Sequence, residues 1–367
     1  MRPDRLVVPW AGVVLGEPVE LGGSVRSTVH RCRVVEGPAA WGESVVVKRF
    51  VPAPPGSRAA MGYEREVAGL SHLPGVPALL ASDDATRTLV LEDLGVHPTL
   101  ADVLLDPHAQ DAWRHTVRWA AALGRAVSAD PRVLADARLR LGEAGIQDRQ
   151  VRRDQPRQGL TRLQEVTGLR DVRAATAQLL DVVDRLEGDT ARHVLGPGDA
   201  CPDNAVLTPA GVRLLDLEGT GVRHVALEAA YAAEPFSTCW CVFTPPQGLT
   251  DQTLSAFTAA AEPALPGLAA DPDWLRQVRS AVACWVLAGT LWLLDGAVAD
   301  RTMAPAGRQG PGFRALLLAR WGWVARECSG ELPAVAAVCE EAVGRGRRAW
   351  REGSALDLPG YPAFRGR

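Results

Sequence analysis

The chain reads as an α+β protein in two unequal parts: a small strand-rich unit with one main helix, then a larger, mainly helical unit. Three observations predict this. Its 367 residues exceed a single domain of ~150 residues, so two or three folding units or one two-lobed enzyme are expected. Short β-branched runs separated by Gly and Pro fill residues 1–95. Beyond them, apolar residues recur mostly at helical spacing.

Residues 19–21 form a strand running into a Gly22-Gly23-Ser24 turn, and residues 29–35 and 45–50 form two more around the turn at Gly37-Pro38. A loop rich in Pro (Pro52, Pro54, Pro55) precedes a helix from about residue 59, whose face carries Val67, Leu70 and Leu73 and which stops at Pro74-Gly75. Apolar runs at 77–81 and 88–91 then lead to Glu92-Asp93-Leu94-Gly95. Helices are expected at 111–129 and 171–186, separated by a mixed, Arg-rich stretch at 132–170 with a polar centre at 147–158. Residues 193–217 are short strands and tight turns. The remainder is helical and holds most of the 11 tryptophans.

Composition excludes several classes. Hydrophobic residues make up 47%, enough for a sizeable core, and the net charge of −3 gives no basis for a nucleic-acid or anionic-membrane partner. Seven scattered cysteines with no CxxC pair favour buried thiols in a reducing cytosol over a disulfide framework or zinc site. The N-terminal apolar run is too short for a signal peptide, and the most apolar stretch, 281–294, is shorter than the ~18 residues of a membrane span. A soluble cytoplasmic protein is expected.

Of the 40 basic residues all but Lys48 are arginine, and Asn204 and Ile146 are likewise the chain's only Asn and Ile. A GC-rich coding bias explains the rarity. A surviving Lys or Asn then points to chemistry that Arg or Asp does not supply, because ammonium and guanidinium differ in shape and hydration. The lone Ile146, in a polar stretch, marks what drift alone leaves behind.

Four features lie in chain order: Val45-Val46-Val47-Lys48 at a strand end; Glu66 on the following helix; Gly198-Asp199-Ala-Cys-Pro-Asp-Asn204 in a turn between short strands; and Leu214-Leu215-Asp216-Leu217-Glu218. Phosphoryl transfer asks for such a set: a strand lysine on phosphate oxygens, a helix carboxylate that holds it, a loop Asp that accepts the acceptor's proton, and an Asn and a second Asp for Mg²⁺. Each part alone has a plainer reading, as an edge lysine, an exposed helix face, a hairpin turn, a polar loop or a strand-end cap. Their order and spacing together favour the catalytic one.

On these motifs, over about residues 19–235, the chain resembles the aminoglycoside phosphotransferase family, the small-molecule branch of the protein-kinase-like fold. The resemblance implies a bilobal protein-kinase-like fold, with residues 1–91 as the N-terminal nucleotide-binding lobe and 92–367 as the catalytic and acceptor-binding lobe, including an insert at 132–170. It implies that Lys48 binds the α/β-phosphates and pairs with Glu66, that Asp199 is the catalytic base, and that Asn204 and Asp216 hold Mg²⁺ with Glu218 as a second acid. Gly22, Gly23 and Ser24 match the loop over the phosphates, and Leu91–Asp93 the hinge where backbone meets adenine. The cofactors implied are ATP or GTP and Mg²⁺. Pro197 stands where the family has His, a scaffold position, and the glycine loop is less typical than the rest.

The acceptor is less legible. Residues 235–367 carry about as many arginines as acids, and 132–170 is more basic than acidic, which fits a neutral or anionic hydroxyl compound better than a polycationic aminoglycoside. Trp240, Trp274, Trp285, Trp292, Trp321 and Trp323 are candidates for an acceptor site, with core the expectation for most. Three functions remain open: transfer to a small-molecule hydroxyl, transfer to Ser/Thr of a precursor peptide in concert with a lyase, and nucleotide binding without turnover.

Overall fold

The computed structural model describes residues 5–8, 12–23, 26–52, 58–236, 239–304, 308, 310–353 and 355–365. Among them, six strands form one antiparallel sheet in the order β1-β2-β3-β4-β6-β5. They are β1 Arg5–Val8, β2 Val13–Gly23, β3 Ser27–Glu36, β4 Ser44–Phe50, β5 Leu79–Asp83 and β6 Thr88–Glu92, with helix α1 (Arg58–His72) between β4 and β5. Side chains alternate across a strand, and β4 uses both faces. Val45 and Val47 pack with Val13, Leu15, Cys32 and Val90 on one face, while Phe50 packs with Tyr63, Val67 and Leu70 of α1 on the other. Lys48 has the parity of Phe50, so its stem is delivered to the α1 side and buried there.

The expected strand at 19–21 is the end of a longer one. Gly22 and Gly23 pair with Val29 and Thr28 rather than forming the turn, which corrects the sequence expectation. The ladder carries on because Gly23 lacks a Cβ: one added there, at φ +149°, would meet the Ser27 carbonyl oxygen at 2.4 Å.

The larger part begins with α2 (Leu100–Leu105), α3 (Ala112–Arg125), α4 (Pro131–Leu141), α5 (Glu143–Thr167) and α6 (Arg173–Gly188). Two small antiparallel pairs follow. β7 (His193–Gly196) pairs with β10 (Gly221–His224), and β8 (Ala205–Thr208) pairs with β9 (Gly211–Leu214). Helices α7 (Val225–Ala233), α8 (Leu249–Ala261), α9 (Trp274–Val298), α10 (Phe313–Glu327) and α11 (Pro333–Ala349) complete it. The Arg-rich stretch at 132–170 is thus mainly α4 and α5. α5 comes so close to α9 at Gly159 that a Cβ there would meet the Leu287 carbonyl oxygen at 1.8 Å.

Two expectations change. α9 extends beyond the apolar stretch read from the sequence and is long and apolar enough to cross a bilayer by length and composition; 72% of its most apolar window is buried inside the protein. Cys201 and Cys239 are joined by a disulfide with Cα atoms 5.8 Å apart, whereas Cys32, Cys241, Cys284, Cys328 and Cys339 are buried free thiols. The pairing joins the turn after β7 to the segment after α7, across 38 residues, a proximity that cysteine spacing does not reveal.

Candidate active site

Lys48 is the centre of a compact charge cluster. Its Nζ lies 2.9 Å from Glu66 Oε2, 2.8 Å from Asp216 Oδ1 and 3.3 Å from Glu218 Oε1. The helix supplies this geometry with small residues. Gly62, Glu66 and Gly69 share one face of α1, and a Cβ at Gly69 would meet Leu217 and Thr220 below 3 Å, while one at Gly62 would meet Phe50 and Glu218 at 3.2–3.3 Å. The turn at Leu217–Gly219 therefore seats directly on α1 and brings Glu218 to the lysine. Burial works against the Lys48 ammonium, but the three carboxylates outweigh it and hold it above the ordinary lysine range. Burial pushes the Glu66 carboxyl up to about 7, against the opposing pull of Lys48.

The oxygen donors expected for a divalent cation lie beside this cluster. Glu66, Asp216 and Glu218 each place an oxygen within 4.8 Å of the others. Asp216 adopts a left-handed conformation, φ 55°, one residue beyond the Leu215 N–H that donates to the Asn204 carbonyl at 2.7 Å. The β8–β9 register, Ala205 opposite Leu214, thus sets Asn204 next to Asp216. Glu218 Oε2 is buried and accepts no hydrogen bond, with the Arg26 guanidinium 3.3 Å away. The Asp216 and Glu218 carboxylates are hard oxygen donors of the kind Mg²⁺ takes, with Asn204 at the neighbouring backbone position.

Asp199 stands at the exit of β7. Its Oδ1 accepts from the Tyr231 hydroxyl at 3.0 Å and lies 3.0 Å from Cys201 Sγ. The Pro197-Gly198-Asp199 turn is fixed from below. Gly198, at φ +78°, donates its N–H to Glu228 Oε2 at 3.2 Å, and a Cβ on it would meet the Gly219 carbonyl oxygen at 2.2 Å. Arg223 donates to that same carbonyl at 2.6 Å and lies 3.3 Å from Glu228 Oε1. Burial raises the Glu228 carboxyl against the lowering effect of Arg223. This buried pair ties the turn that carries Asp199 to the turn at residue 219.

A cavity of about 500 Å³ opens beside Asp199. Its walls come from α1 (Arg65), α5 (Gln147, Asp148, Arg152, Gln155), α6 (Glu187), α7 (Tyr231) and α9 (Trp285, Trp292). Arg65 forks onto Asp148 at 2.6 and 2.7 Å, and Arg152 meets Glu187 at 2.6 Å. Burial alone would raise the Asp148 carboxyl; Arg65, with Arg223 and Arg152 nearby, holds it below the ordinary range.

The structure therefore brings together Lys48, Glu66, Asp199, Asn204, Asp216 and Glu218. Gly22 and Gly23 end β2 at the same edge, and Ser24 lies outside the described residues. Leu91 is buried in β6, opposite Val46 of β4. The Asp93 carboxylate is engaged by Arg31 (2.7 and 2.9 Å), Ser44 (2.7 Å) and the Gly95 N–H (2.9 Å), so it braces the strand ends. Among the tryptophans, Trp274 and Trp321 are buried in the core, Trp240 donates to Asp203 at 2.8 Å, and Trp285 and Trp292 line the cavity. Sequence reasoning missed Arg223, Glu228 and Tyr231. The one available signal was Glu228, the sole charged residue in the apolar run Val225–Ala233. It also missed the cavity-lining face of α5, which carries no apolar periodicity.

No family model matches the chain, and no curated protein matches its sequence. Solved structures do match. Choline kinase from Cryptosporidium parvum aligns over 88% of this chain and 93% of that chain, at 11% identity and a TM-score of 0.50. A choline/ethanolamine kinase family protein from Mesorhizobium loti aligns over 92% and 96%, at 15% identity and 0.45. An ADP-bound aminoglycoside phosphotransferase aligns over 90% and 95%, at 12% identity and 0.41. The choline kinase overlay shows that the chain has the bilobal, α+β, protein-kinase-like fold expected from its motifs. Fold alone does not name the activity.

Proposed function

We propose that the protein is a phosphotransferase that moves the γ-phosphate of ATP or GTP to a hydroxyl of a small molecule. The observation that carries this reading is the convergence of a buried Lys48–Glu66 pair, the Asp216 and Glu218 carboxylates around the same ammonium, and the Asp199 carboxylate, which lines one cavity with Glu218. Residues 1–91 would then hold the nucleotide against 92–367, with adenine or guanine at the 91–93 backbone. Gly22–Gly23 at the end of β2, with Ser24 beyond them, would cover the phosphates.

In this reading Lys48, oriented by Glu66, binds phosphate oxygens as a point charge. Asp199, held by Tyr231, accepts the acceptor hydroxyl's proton as that oxygen bonds to the γ-phosphorus and the bond to the β–γ bridging oxygen breaks, releasing the nucleoside diphosphate. Asn204, Asp216 and Glu218 would hold Mg²⁺, which when bound neutralises charge on the β- and γ-phosphates. A cavity of about 500 Å³ suits a small molecule better than an extended peptide.

The test is a mass-shift screen for phosphorylated acceptors with wild type, Asp199→Asn and Asp216→Ala, alongside Mg-nucleotide binding. Asp199→Asn is expected to bind nucleotide as wild type does and to lose transfer; Asp216→Ala is expected to lose Mg²⁺ dependence as well. Equal turnover in Asp199→Asn and wild type removes the base from the proposal.

A further inference from the structure

We infer that the acceptor is an uncharged, hydroxylated ring compound, and that the cavity selects against polycations by having neutralised its own acids. This rests on the proposed function for its biological meaning and on the cavity alone for its chemistry. A polycation needs surplus carboxylates, and the wall acids other than Asp199 already hold cations. Asp148 is forked by Arg65, Glu187 meets Arg152, and Glu218 lies between Lys48 and Arg26. An anion fares no better, because Arg65 and Arg152 are engaged by those acids and Arg223 by Glu228 and the Gly219 carbonyl.

What the wall offers instead is neutral. Gln147 and Gln155 stand eight residues apart on α5, so both amides lie on one side of the helix, ~12 Å apart along its axis. Neither amide has a hydrogen-bond partner among the described residues, and each can both donate and accept. Trp285 and Trp292, also in the lining, are seven residues apart on one face of α9. Trp285 is anchored edge-on to Tyr231 and by its N–H to the Leu227 carbonyl at 3.0 Å, and Trp292 is 38% exposed. A lining that offers two indole rings and two amides fits a ring that stacks on the former and hydrogen-bonds through its hydroxyls to the latter. Asp199 lines the same cavity, and one hydroxyl would be placed beside it.

The experiment measures binding without turnover. The wild-type chain is titrated with three uncharged probes (an aryl β-glucoside, a nucleoside and a macrocyclic glycoside) and with a tetracationic aminoglycoside, read by tryptophan fluorescence and calorimetry. At least one neutral probe is expected to bind, and to bind more tightly than the polycation. Gln155→Ala and Trp292→Ala should each weaken it by about tenfold, the size of one lost polar or stacking contact. Arg152→Gln, which leaves Glu187 without its cation, should strengthen polycation binding by about tenfold. The inference is overturned if the polycation binds wild type at least as tightly as every neutral probe, if no neutral probe binds, or if Arg152→Gln leaves charge preference unchanged. Absence of transfer in the mass-shift screen, with these binding results intact, would instead count against the phosphotransferase reading.

Discussion

Replacing Lys48 by Met tests the charge cluster directly, because it removes the ammonium from three carboxylates while keeping an unbranched stem of similar length. Glu66 is 2% exposed and cannot turn to solvent, so it must either remain a buried anion or take up a proton. Removing one partner of a buried pair costs about 3–5 kcal/mol. The protonation route says where that cost is felt. With Lys48 present burial already pushes the carboxyl up to about 7, and without Lys48 it rises further, so the two proteins differ by about 1.4 kcal/mol for each pH unit above 7. A raised acid contributes its full stability below the unfolded value and loses it as pH rises through the folded value.

The Lys48→Met deficit, measured by urea unfolding against wild type, is therefore expected to be nearly flat below pH 7, where Glu66 is protonated in both proteins, and to grow by about 1.4 kcal/mol between pH 7 and pH 8. Adding Glu66→Leu should restore most of it, since an apolar pair of similar volume needs no counter-charge. Asp216 stays hydrated and Glu218 keeps Arg26, so neither should mask the recovery. A deficit independent of pH, or a double variant no more stable than Lys48→Met, would refute the claim that Lys48 holds a buried anion.

Gly198→Ala combines a left-handed backbone with a Cβ 2.2 Å from the Gly219 carbonyl. An outward shift of the turn of ~1 Å should cut kcat by roughly a hundredfold, with nucleotide affinity retained; unchanged kcat would show that the turn is not under that constraint. Gly159→Ala should separate α5 from α9 and destabilise the chain by about 1–3 kcal/mol by overpacking, seen as a lowered urea midpoint. Burial lowers His224 to about 4, while its Nδ1 accepts the Ala226 N–H and leaves Nε2–H to face Asp189. A depressed histidine is neutral in the fold and charges on unfolding, so stability should fall by about 3 kcal/mol between pH 6.5 and 4. His224→Asn, which keeps a capping side chain, should flatten that decline.

The fold and the reactive centre were legible in the sequence to different depths. Lys48, Asn204 and Asp216 were marked by rarity and spacing, because β4 and the β8–β9 hairpin are local structures whose register follows from a few residues. The lone Ile146 is 52% exposed on α5, as a residue left by drift would be. The cavity wall was hidden because it is made by long-range packing: Asp148 meets Arg65 across 83 residues, and α5 and α9, which both line the cavity, close on each other only because position 159 is Gly. The polar centre of α5 looked like a solvated insert, since no local pattern distinguishes a charge that faces water from one that faces a partner. The Cys201–Cys239 bond escaped notice for the same reason.

The cluster around Lys48 also constrains the order of events in the proposed reaction. Asp216 Oδ1 now serves the lysine at 2.8 Å, yet Asp216 is one of the oxygens proposed for Mg²⁺. A cation arriving alone would compete with Lys48 for that carboxylate, in a site where Glu66 already needs the lysine's charge. A nucleotide arriving alone would bring phosphates next to Asp216 and Glu218 without a cation between them. Arriving together, the phosphates offer Lys48 a second anion in exchange for Asp216, and the metal separates phosphate from carboxylate. In that combined state each phosphate and each carboxylate would have a cation beside it, with Glu66 remaining the lysine's fixed partner throughout. In the proposed reaction, nucleotide and metal binding would in this way be coupled through one ammonium group, in a chain that carries no other lysine.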